Sequence, residues 1–124
     1  MKLKAAVVAL VTLALLSGCG GGNSTAQPAG STKVSMTEFK FTPGDIQVNA
    51  GKVVFFLVND GNGTSHDLVI RDSTGQTIAK SELVSAGDSS VLTVDNIAAG
   101  TYTIVCDQAG HEASGMKGTL TVTS

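Results

Sequence analysis

Thiols and imidazoles are nearly missing from this 124-residue chain: cysteine occurs only at Cys19 and Cys106, and histidine only at His66 and His111. So few cysteines exclude the disulfide framework of a small secreted scaffold. No Cys-x-x-Cys-His run is present for haem attachment, and Cys106 has no second cysteine beside it to bridge a binuclear copper centre. Basic runs are missing as well. Eight Lys and Arg face ten Asp and Glu, and a mildly acidic chain without a basic patch argues against nucleic acid as a partner. Beyond Lys33 there is no helical stripe of apolar residues and no repeat at solenoid periods, which leaves strands and turns.

What is present begins with "MKLKAAVVALVTLALLSGC": two lysines, an apolar or small run over residues 5–16, then Ser17 and Gly18 before Cys19. That is the order of a secretory signal, and the run is shorter than the roughly 20 residues a membrane-spanning helix needs. "LSGC" resembles the lipobox of bacterial lipoproteins, in which cleavage before the cysteine exposes it for lipid attachment. The alternative is an ordinary signal cleaved nearby, with Cys19 left a plain thiol. The lipobox reading divides the chain into a signal peptide (1–18), a lipidated Cys19 with a flexible Gly/Ser/Thr/Pro tether (19–31) and one folded domain (32–124). It expects an exported protein, lipid-anchored on the extracytoplasmic side of a bacterial membrane, in the periplasm or at the cell surface. Loss of Lys2 and Lys4 with the signal moves the net charge from −2 to −4.

From Lys33 the pattern is short strands and turns. "KVSMTEFKF" alternates Val34, Met36 and then Phe39 and Phe41, and "PGD" breaks it. "KVVFFLVN" reads as a strand buried on both faces, and "HDLVIRD" as an alternating strand with His66, Leu68 and Ile70 on one side. "TIAKSELV" fits either a strand or an irregular crossing. "DIQV", "VLTVDNI", "TYTIVC" and "MKGTLTV" complete the set. The expected fold is all-β, a Greek-key β-sandwich or barrel of seven to eight strands.

Strand ends and loops of a sandwich gather at its two ends, so His66 at one strand start, Cys106 at another strand end, and His111 and Met116 in the loop leaving Cys106 can converge. One thiolate, two imidazoles and a thioether are the donor set of a type 1 copper site, with His₂Cys in a trigonal plane and Met as a weak axial ligand. Each residue also has a plainer reading: His66 as a loop residue, Met116 as a gap filler, Cys106 as a small buried hydrophobe. A Cys19–Cys106 disulfide would need the tether to reach back across the domain and leaves both histidines unexplained. Zinc accepts Cys and His, but Met is a poor zinc ligand.

The loop "CDQAGHEASGM" places Cys106, His111 and Met116 five residues apart each, with Gly before His111 and Gly before Met116. In this it resembles the cupredoxins, the small blue copper proteins. The resemblance extends over roughly residues 33–123, through "MTEFKFTPGDIQVNAGKVVFFLVNDG", "NGTSHDLVI" and "AAGTYTIVC". It implies one copper ion cycling between Cu(I) and Cu(II), held by His66, Cys106, His111 and Met116. It also implies a role for Asp67, at a place where family members often carry Asn, in tying the two ligand loops together. Gly110 and Gly115 are read as the residues that permit the tight turns, and Tyr102 and Ile104 as core beneath the metal. Ala109 stands where the family often has Pro, and Asp107 where it often has a hydroxyl residue.

The implied function is a membrane-tethered single-electron shuttle between extracytoplasmic redox partners, a c-type cytochrome or a membrane oxidoreductase, acting as a monomer. His111 would reach the surface through an apolar patch of Ala109, Gly110, Ala113 and Met116, and the acids Asp107 and Glu112 would favour a basic partner. The alternative is a copper module for delivery, storage or sensing; a third reading is a metal-free structural sandwich. A non-enzymatic role is expected, since a saturated copper site offers no open position and no nucleophile–base pair is legible. A carboxylate beside the thiolate stabilises the oxidised metal, so Asp107→Ser is expected to raise the reduction potential. A redox titration giving an unchanged potential would dispose of that role.

Overall fold

The computed structural model describes residues 24–124; the signal-like run and Cys19 lie outside the described residues. One sheet contains β1 (Thr32–Thr37), β2 (Lys40–Thr42), β4 (Gly51–Asn59) and β7 (Ser89–Ile97) in the order β2-β1-β4-β7. The second contains β3 (Asp45–Asn49), β5 (Val69–Arg71), β6 (Thr77–Lys80), β8 (Gly100–Val105) and β9 (Lys117–Thr123) in the order β3-β9-β8-β5-β6. β1 runs parallel to β4 and β3 parallel to β9, and the remaining pairs are antiparallel. The fold is the all-β sandwich that the alternation predicts. Its described residues hold nine strands where seven to eight are expected, because "KVSMTEFKF" is two strands folded back at Glu38 and Phe39, with Thr37 opposite Lys40.

Period-two alternation sets the core. Val34 and Met36 of β1, Val53, Phe55 and Leu57 of β4, Ile104 of β8, and Leu120 and Val122 of β9 all point between the sheets and are buried. Each such aliphatic or aromatic side chain contributes about 1.5–3 kcal/mol through removal from water. β4 is covered unequally: its inner face is sealed, Phe56 on the outer face is 8% exposed, and Val54 and Val58 are half-buried. "HDLVIRD" departs from simple alternation. Leu68, Val69 and Ile70 are all buried, because β5 is an interior strand between β8 and β6. "TIAKSELV" resolves into the edge strand β6 and a segment whose Val84 forms a bridge with His66.

Three local arrangements bring the predicted donors to one end. β8 and β9 form a hairpin in register Val105 opposite Lys117, so Cys106 and Met116 face each other at its mouth. The Cys106 N–H donates to the Met116 carbonyl at 3.1 Å. His66 and Val84 exchange backbone hydrogen bonds at 3.0 and 2.8 Å. The buried Asn59 side chain, at the end of β4, donates to the carbonyls of Thr64 and Val84, both at 2.8 Å, and accepts from Gly61 N–H at 3.0 Å. Before β1 the chain is also engaged: Thr25 N–H donates to Ser89 Oγ at 2.8 Å, and Ser89 Oγ donates to the Thr25 carbonyl at 3.0 Å.

Where β9 leaves the hairpin mouth, Gly118 passes so close to Gly44 that a Cβ would land on the Gly44 carbonyl oxygen, with Ile104 Cγ1 also against it at 3.2 Å. The same carbonyl accepts the Thr119 N–H at 2.9 Å, so it cannot swing away. Gly118→Ala is therefore expected to cost about 1–3 kcal/mol of stability through overpacking. Gly63→Ala, where a Cβ meets open space, should stay within about 0.5 kcal/mol. Urea denaturation of the two variants checks the contrast.

Candidate metal centre

The side chains of His66, Cys106 and His111 meet at one end of the sandwich, their ligand atoms all within 4.8 Å of one another. His66 Nδ1 and His111 Nδ1 are 3.2 Å apart, and Cys106 Sγ lies 3.4 Å from His111 Nδ1 and 4.0 Å from His66 Nδ1. Met116 is fully buried, belongs to the same core cluster as Cys106, and donates its N–H to the His111 carbonyl at 3.0 Å. His66 enters from the 61–66 loop, whereas the other three come from one hairpin loop. That loop is wound by bonds from His111 N–H to the Gln108 carbonyl at 3.0 Å and from Gly115 N–H to the Glu112 carbonyl at 3.0 Å. Gly110 and Gly115 sit at φ of 80° and 103°, a region that an L side chain rarely enters, which is why the two turns use glycine.

Burial governs the protonation of this cluster. It pushes the His66 imidazole below its ordinary value, assisted by the charge of His111, and it pushes the Cys106 thiol up. Cys106 is a free, fully buried cysteine, a poor nucleophile in this state. Two ring nitrogens and a sulfur gathered this closely, with Met116 buried beside them, form a type 1 site-like arrangement, a donor set that suits a soft cation.

A model of the cupredoxin-like domain matches residues 5–122. The chain belongs to the cupredoxin-like family. Auracyanin-B of Chloroflexus aurantiacus is 38% identical over 80 residues, 63% of this chain; the match spans only 34% of that relative's length. The solved structure of auracyanin B gives a TM-score of 0.68 at 27% identity and covers 85% of this chain and 97% of that one. The oxidized plastocyanin of Dryopteris crassirhizoma gives 0.54 at 31% identity, covering 74% of this chain and all of that one (100%). The dithionite-reduced auracyanin of Roseiflexus castenholzii gives 0.67 at 22% identity, covering 76% and 97%, and shares the fold.

Around this cupredoxin-like cluster the structure adds groups that the sequence pattern does not single out. Phe39, 37% exposed, meets the His111 ring edge-on at 4.9 Å between centroids. Ala109, Gly110 and Ala113 are exposed and His111 is half-buried, but Met116 is sealed beneath them. The apolar rim therefore has Phe39 in the place expected of Met116, because the Met116 side chain is turned into the core. Glu38 accepts hydrogen bonds from the 62–64 loop, and its carboxyl is held down to about 2, first by its own backbone N–H and then by those of Thr64 and Gly63.

The acids expected to attract a basic partner are already paired. Arg71 Nη1 contacts both carboxylate oxygens of Glu112, at 2.9 and 3.1 Å. Lys80 Nζ lies 2.6 Å from Asp107 and 3.5 Å from Asp67, and Asp107 raises its pKa. The ammonium offsets part of the Asp107 field at the sulfur, which makes the effect of Asp107→Ser smaller than that of removing a bare carboxylate. Asp67, 1% exposed, accepts from Asp107 N–H and from Gln108 Nε2, both at 3.0 Å, and so joins the His66 segment to the Cys106 loop.

That bridge can be tested without metal. Asp67→Ala strands a backbone donor and should cost about 1–3 kcal/mol in urea denaturation of the metal-free protein. Asp67→Asn keeps an oxygen for Asp107 N–H, and Gln108 can turn its amide to suit, so its cost should stay below about 1 kcal/mol.

Proposed function

We propose that this cupredoxin-like protein is a type 1 copper electron carrier, in which His66 Nδ1, Cys106 Sγ, His111 Nδ1 and the Met116 thioether would hold the copper. The observation that carries the reading is the approach of the three ligand atoms to within 4.8 Å of one another in a buried cluster. A copper ion there supplies one-electron chemistry between Cu(I), which suits the sulfur donors, and Cu(II), which suits the imidazoles. The protein's part is to hold the donors still. The hairpin mouth fixes Cys106 and Met116, the Val84 bridge fixes His66, and Asp67 locks the two segments together. A frame that does not move when the charge changes keeps the cost of electron transfer low. Asp67 and Asp107 act on the centre through hydrogen bonding and charge, not as ligands.

Electrons enter and leave through His111, the one imidazole that reaches the surface, within a rim of Phe39, Ala109, Gly110 and Ala113. A small apolar rim suits brief docking to a redox partner, a c-type cytochrome or a membrane oxidoreductase. With Asp107 and Glu112 both ion-paired, that choice rests on the rim and not on a net acidic face. A lipid on Cys19, as the lipobox-like "LSGC" supports, would keep the carrier on the extracytoplasmic surface of a membrane.

Adding Cu(II) to the purified protein should give an intense visible colour at one equivalent, with loss of the colour in Cys106→Ser. Rapid, reversible reduction of the bound metal supports the carrier; slow redox with ready transfer of Cu(I) to an acceptor supports a delivery role instead. A colourless titration sinks the type 1 carrier.

A further inference from the structure

Glu38 and Thr64 stand outside the donor set, yet their hydrogen bonds decide which nitrogen of His66 is free. Glu38 Oε1 accepts from the N–H groups of Asn62, Gly63 and Thr64 at 3.1, 3.3 and 3.4 Å, and from Thr64 Oγ1 at 3.2 Å. An ionised carboxylate only accepts, and a hydroxyl has a single hydrogen to give. The Thr64 hydroxyl therefore donates to Glu38. What it turns to His66 Nε2, 3.2 Å away, is a lone pair. Glu38 itself lies 3.9 Å from Nε2, too far for a direct hydrogen bond. The contact between Thr64 and Nε2 is then a hydrogen bond only if Nε2 carries the ring proton.

The competing arrangement puts that proton on Nδ1, from where it would donate to His111 Nδ1 at 3.2 Å. It would lie inside the donor cluster, where it would have to be expelled before a metal could bind, and it would leave the Thr64 oxygen facing a second lone pair. We infer that Glu38, acting through Thr64, presets His66 as its Nε2–H tautomer and is a positioning residue for metal uptake. The carboxylate sits on the turn between β1 and β2, so a segment that supplies no ligand governs the chemistry of one. Outer partners of this kind typically change metal affinity by about 10–100-fold. The purpose assigned to the bare Nδ1 rests on the copper reading; the tautomer is a property of the metal-free protein.

The test is the ring ¹⁵N spectrum of histidine-labelled, metal-free protein, in which only two histidines contribute. His66 is expected as Nε2–H in the unmutated protein, in Thr64→Ser, and in Glu38→Gln, whose amide oxygen still accepts from the hydroxyl and the loop. Thr64→Val should show Nδ1–H at His66 and bind Cu(II) about 10–100-fold more weakly. A Nδ1–H signal at His66 in the unmutated protein overturns the inference without needing any variant to fold. A Thr64→Val protein with an unchanged tautomer also overturns it. An Nε2–H signal beside a colourless copper titration upholds the tautomer and overturns the copper reading, so the two fail separately.

Discussion

One backbone hydrogen bond, from Cys106 N–H to the Met116 carbonyl, closes the mouth of the β8–β9 hairpin, and the donor cluster is built on it. It continues the register that sets Val105 against Lys117. A slip of one residue would turn every side chain of a strand to its opposite face, taking Cys106 and Ile104 out of the space between the sheets. The register is held by what the slip would expose: Ile104, Leu120 and Val122 are all at or near complete burial. The apolar core thus specifies the position of a polar site. Chemistry at the end of the sandwich depends on packing in its middle.

Placing polar groups among that packing carries a desolvation cost, which the chain offsets by completing their hydrogen bonds. Asn59, His66 and Asp67 are almost wholly buried, and no buried side-chain nitrogen or oxygen among the described residues lacks a partner. The partners are drawn from different segments: Asn59 reaches Thr64 and Val84, His66 pairs with Val84, and Asp67 reaches Asp107 and Gln108. Each bond that satisfies a buried group also ties two strands' ends together. Rigidity at the cluster is thereby a by-product of satisfying buried polarity.

The sequence is legible where chemistry is rare and spacing is short. Two histidines and one thiol in a sandwich, with Met at a fixed interval, leave few ways to be arranged, and period two alone separates sheet from helix. What escapes is held by contacts between residues far apart in the chain. Glu38 meets its partners across 24 to 26 positions, Lys80 meets Asp107 across 27 and Arg71 meets Glu112 across 41. Read along the chain, Asp107 and Glu112 look like free acids; in the fold each has a cation. Phe39 reads as one more alternating aromatic until the chain folds back at residues 38–39 and turns its ring to His111. Met116 illustrates the converse. A position in the same loop as His111 does not say which of the two side chains faces water, and the hairpin turns Met116 inward.

Cys106 and Met116 are members of the hydrophobic core as well as of the donor cluster. The unfolded chain has no such cluster, so whatever cation the folded chain takes up draws the folding equilibrium with it by mass action: at a free concentration one hundred times its dissociation constant, the gain is about 2.7 kcal/mol. Against a total stability of about 5–15 kcal/mol for a small domain, that is a large share. Occupancy and foldedness are thereby coupled: a bound cation would add its own increment to the stability that the packed core supplies.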